Sequence, residues 1–218
     1  DNNPVAYCVS PEGMLLWGEE GVMLANTSNF DVIPVVCTTN EGNAVFAWQS
    51  EAATGNEVHL QKLSPAGEPL WGDGIILSSS SENYTYPFLK PACGDQVYMI
   101  WHKESGPFLA PNCGLYVQLL DSDGNFVWKT DTHVYAPVPS GPVVSLDIKS
   151  DGMGGLIFAW YRNDTGLHFH AYVQHMNSEG NISMEPGGAL VSTTDQRNHM
   201  YPAAAWLELT QEILVFFS

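Results

Sequence analysis

The sequence predicts an all-β fold, a β-propeller of four repeats of about 55 residues, each made of four antiparallel strands. Three observations predict it: a hairpin motif occurs four times, a second strand motif alternates with it, and turn residues abound where no helical period is sustained. The hairpin motif is an apolar run, a turn and a large apolar residue. It reads VAYCVSPEGMLLWG from Val5, VHLQKLSPAGEPLWG from Val58, LYVQLLDSDGNFVWK from Leu115 and AYVQHMNSEGNISME from Ala171. The turn glycines Gly13, Gly67, Gly124 and Gly180 are separated by 54, 57 and 56 residues. Four residues after them stand Trp17, Trp71, Trp128 and Met184; six before them stand Tyr7, Gln61, Gln118 and Gln174. The second motif opens on Pro34, Pro87, Pro142 and Pro202 and closes on Trp48, Trp101, Trp160 and Phe216. Proline and aromatic are 14 residues apart in three copies; the third copy adds four, placed in the Gly-rich turn from Ser150 to Gly155.

Each unit then reads as four strands in order. The first runs from Pro34 to Thr39. The second runs from Ala44 to Trp48, with counterparts at Val97 to Trp101 and Leu156 to Trp160; an unbroken apolar run of this length means burial on both faces. The third is Val58 to Leu63. The fourth includes Pro69 to Trp71, and its proline suits an outer edge strand. The 20 glycines and 14 prolines supply the turns. One small twisted sheet cannot cover its own apolar faces, so such units must pack face to face.

The chain starts with the third and fourth strands of a unit and stops after the second of another. Two arrangements fit: a closed four-bladed ring in which the termini share one blade, with Val5 to Trp17 beside Ile213 to Phe217, or an arc of a larger propeller. In either case residues 1–218 form a single propeller domain or segment.

Hydrophobic residues make up 44% of the chain and charged residues only 14%, so the surface draws its polarity from Ser, Thr, Asn, Gln and Gly. The net charge is −17, from 24 acids and seven bases. That balance excludes nucleic acid as a leading partner, because phosphate contacts need clustered Lys and Arg, and it disfavours anionic membranes. The longest apolar run, Leu156 to Tyr161, is six residues, far short of a membrane helix, so no membrane insertion is expected. Cys8, Cys37, Cys93 and Cys113 form no C-x-x-C pair. Three disulfide pairings are open to them, and burial as free thiols is the expectation for Cys8 and Cys37.

The hairpins YVQLLDSDGNFVW, Tyr116 to Trp128, and HLQKLSPAGEPLWG, His59 to Gly72, resemble the repeats of secreted bacterial β-propeller proteins. The resemblance covers the whole chain, and it implies an extracellular, cell-surface or periplasmic location. The same hairpins are similar to those of quinoprotein propellers, which also place Trp four residues after Gly. Those have one more residue between Asp and Gly than stand between Asp121 and Gly124, and no cofactor is expected.

Several constellations read as structure. DSDGN at Asp121 has the look of a calcium loop, but the equivalent turns read SPEGM, SPAGE and NSEGN and only this copy has Asp at both key places, so a hairpin turn accounts for all four. His168 and His170 share one face of a strand, with no second pair at that spacing. No G-x-S-x-G, G-x-G-x-x-G or P-loop is present, and no catalytic or metal-binding set is expected. The recurring tryptophans belong to packing between repeats, and Gln61, Gln118 and Gln174 to backbone bonding between repeats.

The candidate ligand contacts lie elsewhere. The segments leading into the first strands read NFDVIP, NYTYP and NHMYP. In a propeller they cross one face near the central axis. Tyr84, Tyr86, His199 and Tyr201 supply aromatic planes there, beside Asn83, Asn198 and Arg197. Trp206 joins them as the tryptophan with no repeat partner; its equivalents are Thr38, Pro91 and Leu146. The expected function is a non-enzymatic binding module for a neutral glycan or a protein segment. The alternatives are a carbohydrate-active enzyme using carboxylates at the channel mouth, or a purely structural repeat of a larger surface protein.

Overall fold

The computed structural model of the protein describes residues 2–107, 111–139, 146–163, 168–192 and 197–218. Among these residues sixteen strands follow one another: β1 (Val5–Ala6), β2 (Val22–Met23), β3 (Phe30–Thr38), β4 (Ala44–Ala52), β5 (Gly55–Leu63), β6 (Ile75–Leu77), β7 (Asn83–Pro91), β8 (Val97–Ser105), β9 (Asn112–Leu120), β10 (Thr132–Pro139), β11 (Leu146–Ser150), β12 (Leu156–Asn163), β13 (Phe169–Met176), β14 (Ala189–Leu190), β15 (Ala203–Leu207) and β16 (Glu212–Phe216). Three four-stranded sheets take the orders β3-β4-β5-β6, β7-β8-β9-β10 and β11-β12-β13-β14, and β1-β2 and β15-β16 form two-stranded sheets. The described ladders are antiparallel, as in β4 with β5 and β12 with β13. The fold is thus all-β, with repeated four-stranded antiparallel sheets of the propeller-blade type.

The chain divides into two compact units, one of residues 1–103 and 118–129, the other of residues 104–117 and 130–218. In the first, β7 packs on β3, β4 and β5. Val45, Val58, Leu60, Leu63, Met99 and Ile100 are buried there. In the second, Ile157, Ala159, Val173 and Ala204 form a core over which Met184, Trp206, Ile213 and Val215 lie. The unbroken apolar runs behave as their composition requires: Val97–His102 and Leu156–Tyr161 are buried at every position.

The hairpin repeat is visible bond by bond. Val9 with Leu15, Leu63 with Pro69, Leu120 with Phe126 and Met176 with Ile182 make the same isolated bridge. The side-chain oxygens of Ser10, Ser64, Asp121 and Asn177 accept amides two and four residues on. That short polar side chain closes the turn, and the following glycine takes a positive φ of 84–86° in all four copies. The DSDGN segment is therefore a turn, with Asp121 Oδ1 occupied by its own amides.

Three expectations need correction. The fourth strand is β6, paired with Val58–Leu60, and not Pro69–Trp71. After Trp71 the chain turns through Gly72 and Gly74, both at positive φ, before it can run alongside β5. The first strand begins earlier than Pro34, because a bulge between Val32 and Val35 lets pairing resume upstream to Phe30. Gln61, Gln118 and Gln174 bond backbone inside their own hairpins, not between repeats. Each accepts two amides and donates to one carbonyl, as Gln61 does to Gly72 O at 2.9 Å. Val5 pairs with Met23 and β16 with β15, so the chain's first two strands and its last two each form a half-sheet.

Two of the outer tryptophans, Trp17 and Trp71, pack against the turn of the next repeat, as expected. Trp17 Nε1 donates to Pro65 O and Trp71 Nε1 to Ser122 O, each at 3.0 Å. A Cβ on Gly67 or Gly124 would come within 3.1 Å of those rings, so the turn glycine serves the ring's approach as well as its own φ. All four cysteines are free thiols, and burial pushes Cys37 and Cys113 up to about 12. Both are therefore unreactive thiols near neutral pH.

Candidate functional sites

The segments leading into the first strands share an unusual backbone. Ile33, Tyr86 and Tyr201, each directly before its proline, have φ of 54°, 48° and 53°. L residues avoid this left-handed region, and a β-branched residue there is a clear outlier. Because Ile33 shares it, the conformation belongs to the repeat and its bulge. What differs between copies is the side chain displayed: Tyr86 is 39% and Tyr201 60% exposed.

Within the first unit, Asn83 Oδ1 accepts the Asn56 amide at 2.9 Å, so Asn83 fixes the start of β5. Tyr84 is half-buried, with Lys103 over its ring at 5.3 Å and Trp101 at 6.2 Å. Tyr86 donates its amide to Gln49 Oε1 and meets His102 edge-on at 5.9 Å. Burial lowers the His102 pKa to about 4, against the pull of a backbone bond to Tyr86. Within the second unit, Asn198 repeats the role of Asn83, accepting the Phe169 amide at 3.1 Å. Tyr201 meets Tyr161 at 5.5 Å, and His199 meets His170 and Phe217. Arg197 is exposed. The two asparagines are thus structural ties, while Tyr86 and Tyr201 present rings to solvent.

Trp206 sits in a different setting from the other tryptophans. It is half-buried and lines a cavity of about 420 Å³ with Lys149, Asp151, Gly152, Ala204 and Glu208. One face stacks on His175 at 5.1 Å and 23°. His175 is held at both ends, by Asp151 Oδ2 at 2.9 Å and Ser183 Oγ at 3.1 Å. Asp151 is itself anchored through Oδ1 by the amides of Met153 and Gly155. Burial pushes its carboxyl up, but the His175 and amide bonds outweigh this and hold it below its ordinary value. The chain Asp151–His175–Ser183 is a brace that fixes the imidazole under the indole. Ser183 lies on the exposed outer hairpin and lines neither cavity described for the two units.

Sequence reasoning passed over a second cavity, of about 330 Å³, within the first unit. Asn2, Pro4, Asp31, Ile33 and Trp48 line it. Asn2 and Asp31 lock their backbones together: the Asp31 amide donates to Asn2 O at 3.0 Å, and Asn2 Nδ2 donates to Asp31 O at 2.7 Å. The Asp31 carboxylate is buried. The residue is 5% exposed, and neither carboxylate oxygen has a hydrogen-bond partner among the described residues. Trp48, 3% exposed, likewise has no partner for Nε1. The available signal was the lone acid in NFDVIP, in a place where the other copies carry Tyr84 and His199.

No family model matches the chain, and no curated protein matches it. Among solved structures it is similar to a protein of unknown function from Dyadobacter fermentans, at 12% identity and a TM-score of 0.59, covering 88% of this chain and 63% of that one. The likeness is one of fold. An endo-arabinase from Bacteroides thetaiotaomicron aligns at 12% identity and a TM-score of 0.47, over 84% of this chain and 68% of that one. This chain spans less than two thirds of the Dyadobacter protein.

Proposed function

We propose that the protein is a non-catalytic extracellular or periplasmic module that binds a neutral glycan. The observation that carries this reading is the Trp206 cavity. The other tryptophans recur by repeat, and Trp17 and Trp71 are spent on neighbouring turns. Trp206 recurs nowhere and walls a cavity whose rim carries the polar groups of Lys149, Ser150 and Glu208. An indole plane beside donors and acceptors suits a sugar ring, which has apolar C–H faces and a polar edge. The His175 brace supports the reading, because a ring fixed in advance loses little freedom on binding. The exposed rings of Tyr86 and Tyr201, with Tyr84, His199 and Arg197 near them in sequence, supply further aromatic contacts in their own units. A net charge of −17 opposes polyanionic glycans and favours neutral ones.

A glycan array followed by calorimetric titration of the strongest neutral hit tests this. Trp206→Ala is expected to weaken binding at least about tenfold, the loss of roughly 1.4 kcal/mol or more. Undiminished binding by the folded variant, or an array on which only sulfated glycans bind, overturns it.

A further inference from the structure

We infer that Glu208 is the residue of the Trp206 cavity that selects the sugar, by accepting hydrogen bonds from two adjacent hydroxyl groups on one edge of its ring. This rests on the proposed function, because it names the ligand chemistry of that same cavity. The cavity walls come from the third turn, at Lys149 to Gly152, and from the last repeat, at Ala204 to Trp206 and Glu208. Both depart from the pattern of the other copies. The third turn carries the four added residues, and Trp206 stands where other copies have Thr38, Pro91 and Leu146. Glu208 departs as well: six residues on from each opening proline, its equivalents are Asn40, Cys93 and Ile148. Asn40 is spent on a neighbouring turn, its amide donating to Gly94 O at 3.1 Å. Glu208 has no hydrogen bond or ion pair among the described residues. A feature shared by every copy belongs to the architecture, whereas three departures gathered at one cavity do not follow from it.

The other charged groups of the wall are already answered. Lys149 Nζ is held by Asp147 Oδ1 at 2.9 Å, and Asp147 Oδ2 accepts the Ala204 amide at 2.9 Å. Asp151 spends Oδ1 on two amides and Oδ2 on His175. Glu208 is exposed, so its oxygens are open to a ligand. Its position is also defined. Gly152 stands at φ 73°, and a Cβ there would lie 3.2 Å from Glu208 Oε1, so the carboxylate rests against the third turn. A carboxylate only accepts, and it offers two oxygens side by side. Two adjacent hydroxyls on a sugar ring present two donors side by side. The indole then takes the apolar C–H face and Glu208 the polar edge. A cation would meet the Lys149 ammonium on the same wall, and an anion would meet Glu208 itself; neutral hydroxyls meet neither penalty.

Saturation-transfer NMR titrations test this, with methyl β-D-galactopyranoside, methyl β-D-glucopyranoside and methyl α-D-mannopyranoside as probes and argininamide as a cationic comparison. The 2-, 3- and 4-deoxy analogues of the strongest sugar follow. Two of them, at adjacent carbons, should bind wild type at least about fivefold more weakly than the parent. Glu208→Gln should weaken the parent at least about tenfold and bring it level with those two analogues, with an unchanged thermal melt. Trp206→Ala should instead weaken parent and analogues by the same factor. If Trp206→Ala loses affinity while Glu208→Gln keeps the wild-type ratio of parent to analogue, this inference falls and the proposed function stands. Undiminished binding by Trp206→Ala overturns both. A lowered melt in Glu208→Gln shows a structural carboxylate and overturns the inference. So does the absence of any sugar signal from wild type, or a Glu208-dependent signal from argininamide alone.

Discussion

Lys62 and Asp31 are both buried charges of the first unit, and the fold treats them in opposite ways. Lys62 sits at the end of β5 with every direction answered, by Asp95, by Ser122 O and by the Trp71 ring at 5.8 Å. Asp95 is answered in turn by Thr39 Oγ1 at 2.6 Å and Asn43 Nδ2 at 3.0 Å. Asp31 stands beside a cavity with neither oxygen bonded among the described residues. The contrast teaches that burial alone does not fix how a charge is satisfied: the Lys62 ammonium is bonded on several sides, whereas Asp31 is tied through its backbone.

The comparison can be broken most forcefully at Lys62. Lys62→Met strands Asp95 and should cost about 3–5 kcal/mol in urea denaturation, while the double change Lys62→Met with Asp95→Leu should recover much of it. A double variant no better than the single one would mean that the pair is not what stabilises this corner. The pair also sets a pH dependence. Burial pushes the Asp95 carboxyl up, but the bonds from Lys62, Thr39 and Asn43 outweigh this and lower its pKa. A depressed carboxyl contributes stability above its unfolded pKa and loses it as pH falls through the folded value, so this contribution should fade below about pH 4.

His102 gives the next largest effect. It is buried as a neutral ring, with a pKa lowered to about 4 from 6.5. Between those values the unfolded chain binds a proton that the folded chain refuses. Stability should therefore fall by about 1.4 kcal/mol for each unit of acidification from about pH 6.5 to about pH 4. Denaturation midpoints across that range should show the slope in wild type and a shallower one in His102→Phe.

Gln118 sharpens the comparison on the neutral side. It is 1% exposed; its carbonyl accepts the Leu119 and Trp128 amides, and its amide donates to Trp128 O. Gln118→Ala should cost about 1–3 kcal/mol, because backbone groups lose their partner. An effect near zero would mean that water replaces the side chain readily.

Much of this was legible in the sequence, for a physical reason. The turn glycines, their capping Ser64, Asp121 and Asn177, and the tryptophans four residues on act within a dozen residues of one another, so their spacing survives in the chain. Trp206 was legible by contrast, as an aromatic without a repeat partner. Asp31 was not. Its burial depends on Asn2, 29 residues away in sequence, closing over β3, and on a bulge at Ile33 that no local pattern announces. The fourth strand was misplaced for a similar reason: Trp71 commits to the next turn, which postpones pairing until Ile75.

The central claim is that the Lys62–Asp95 pair stabilises the first unit while the Asp31 carboxylate, unbonded among the described residues, does not. Urea denaturation of wild type and Asp31→Asn at neutral pH, without sugar, tests it most directly. Removing an unpaired buried charge while keeping its shape should raise the midpoint, by about 1–2 kcal/mol in stability, with the slope unchanged. A midpoint that falls by a comparable amount would show that the carboxylate is a structural group, and the contrast with Lys62 would be gone.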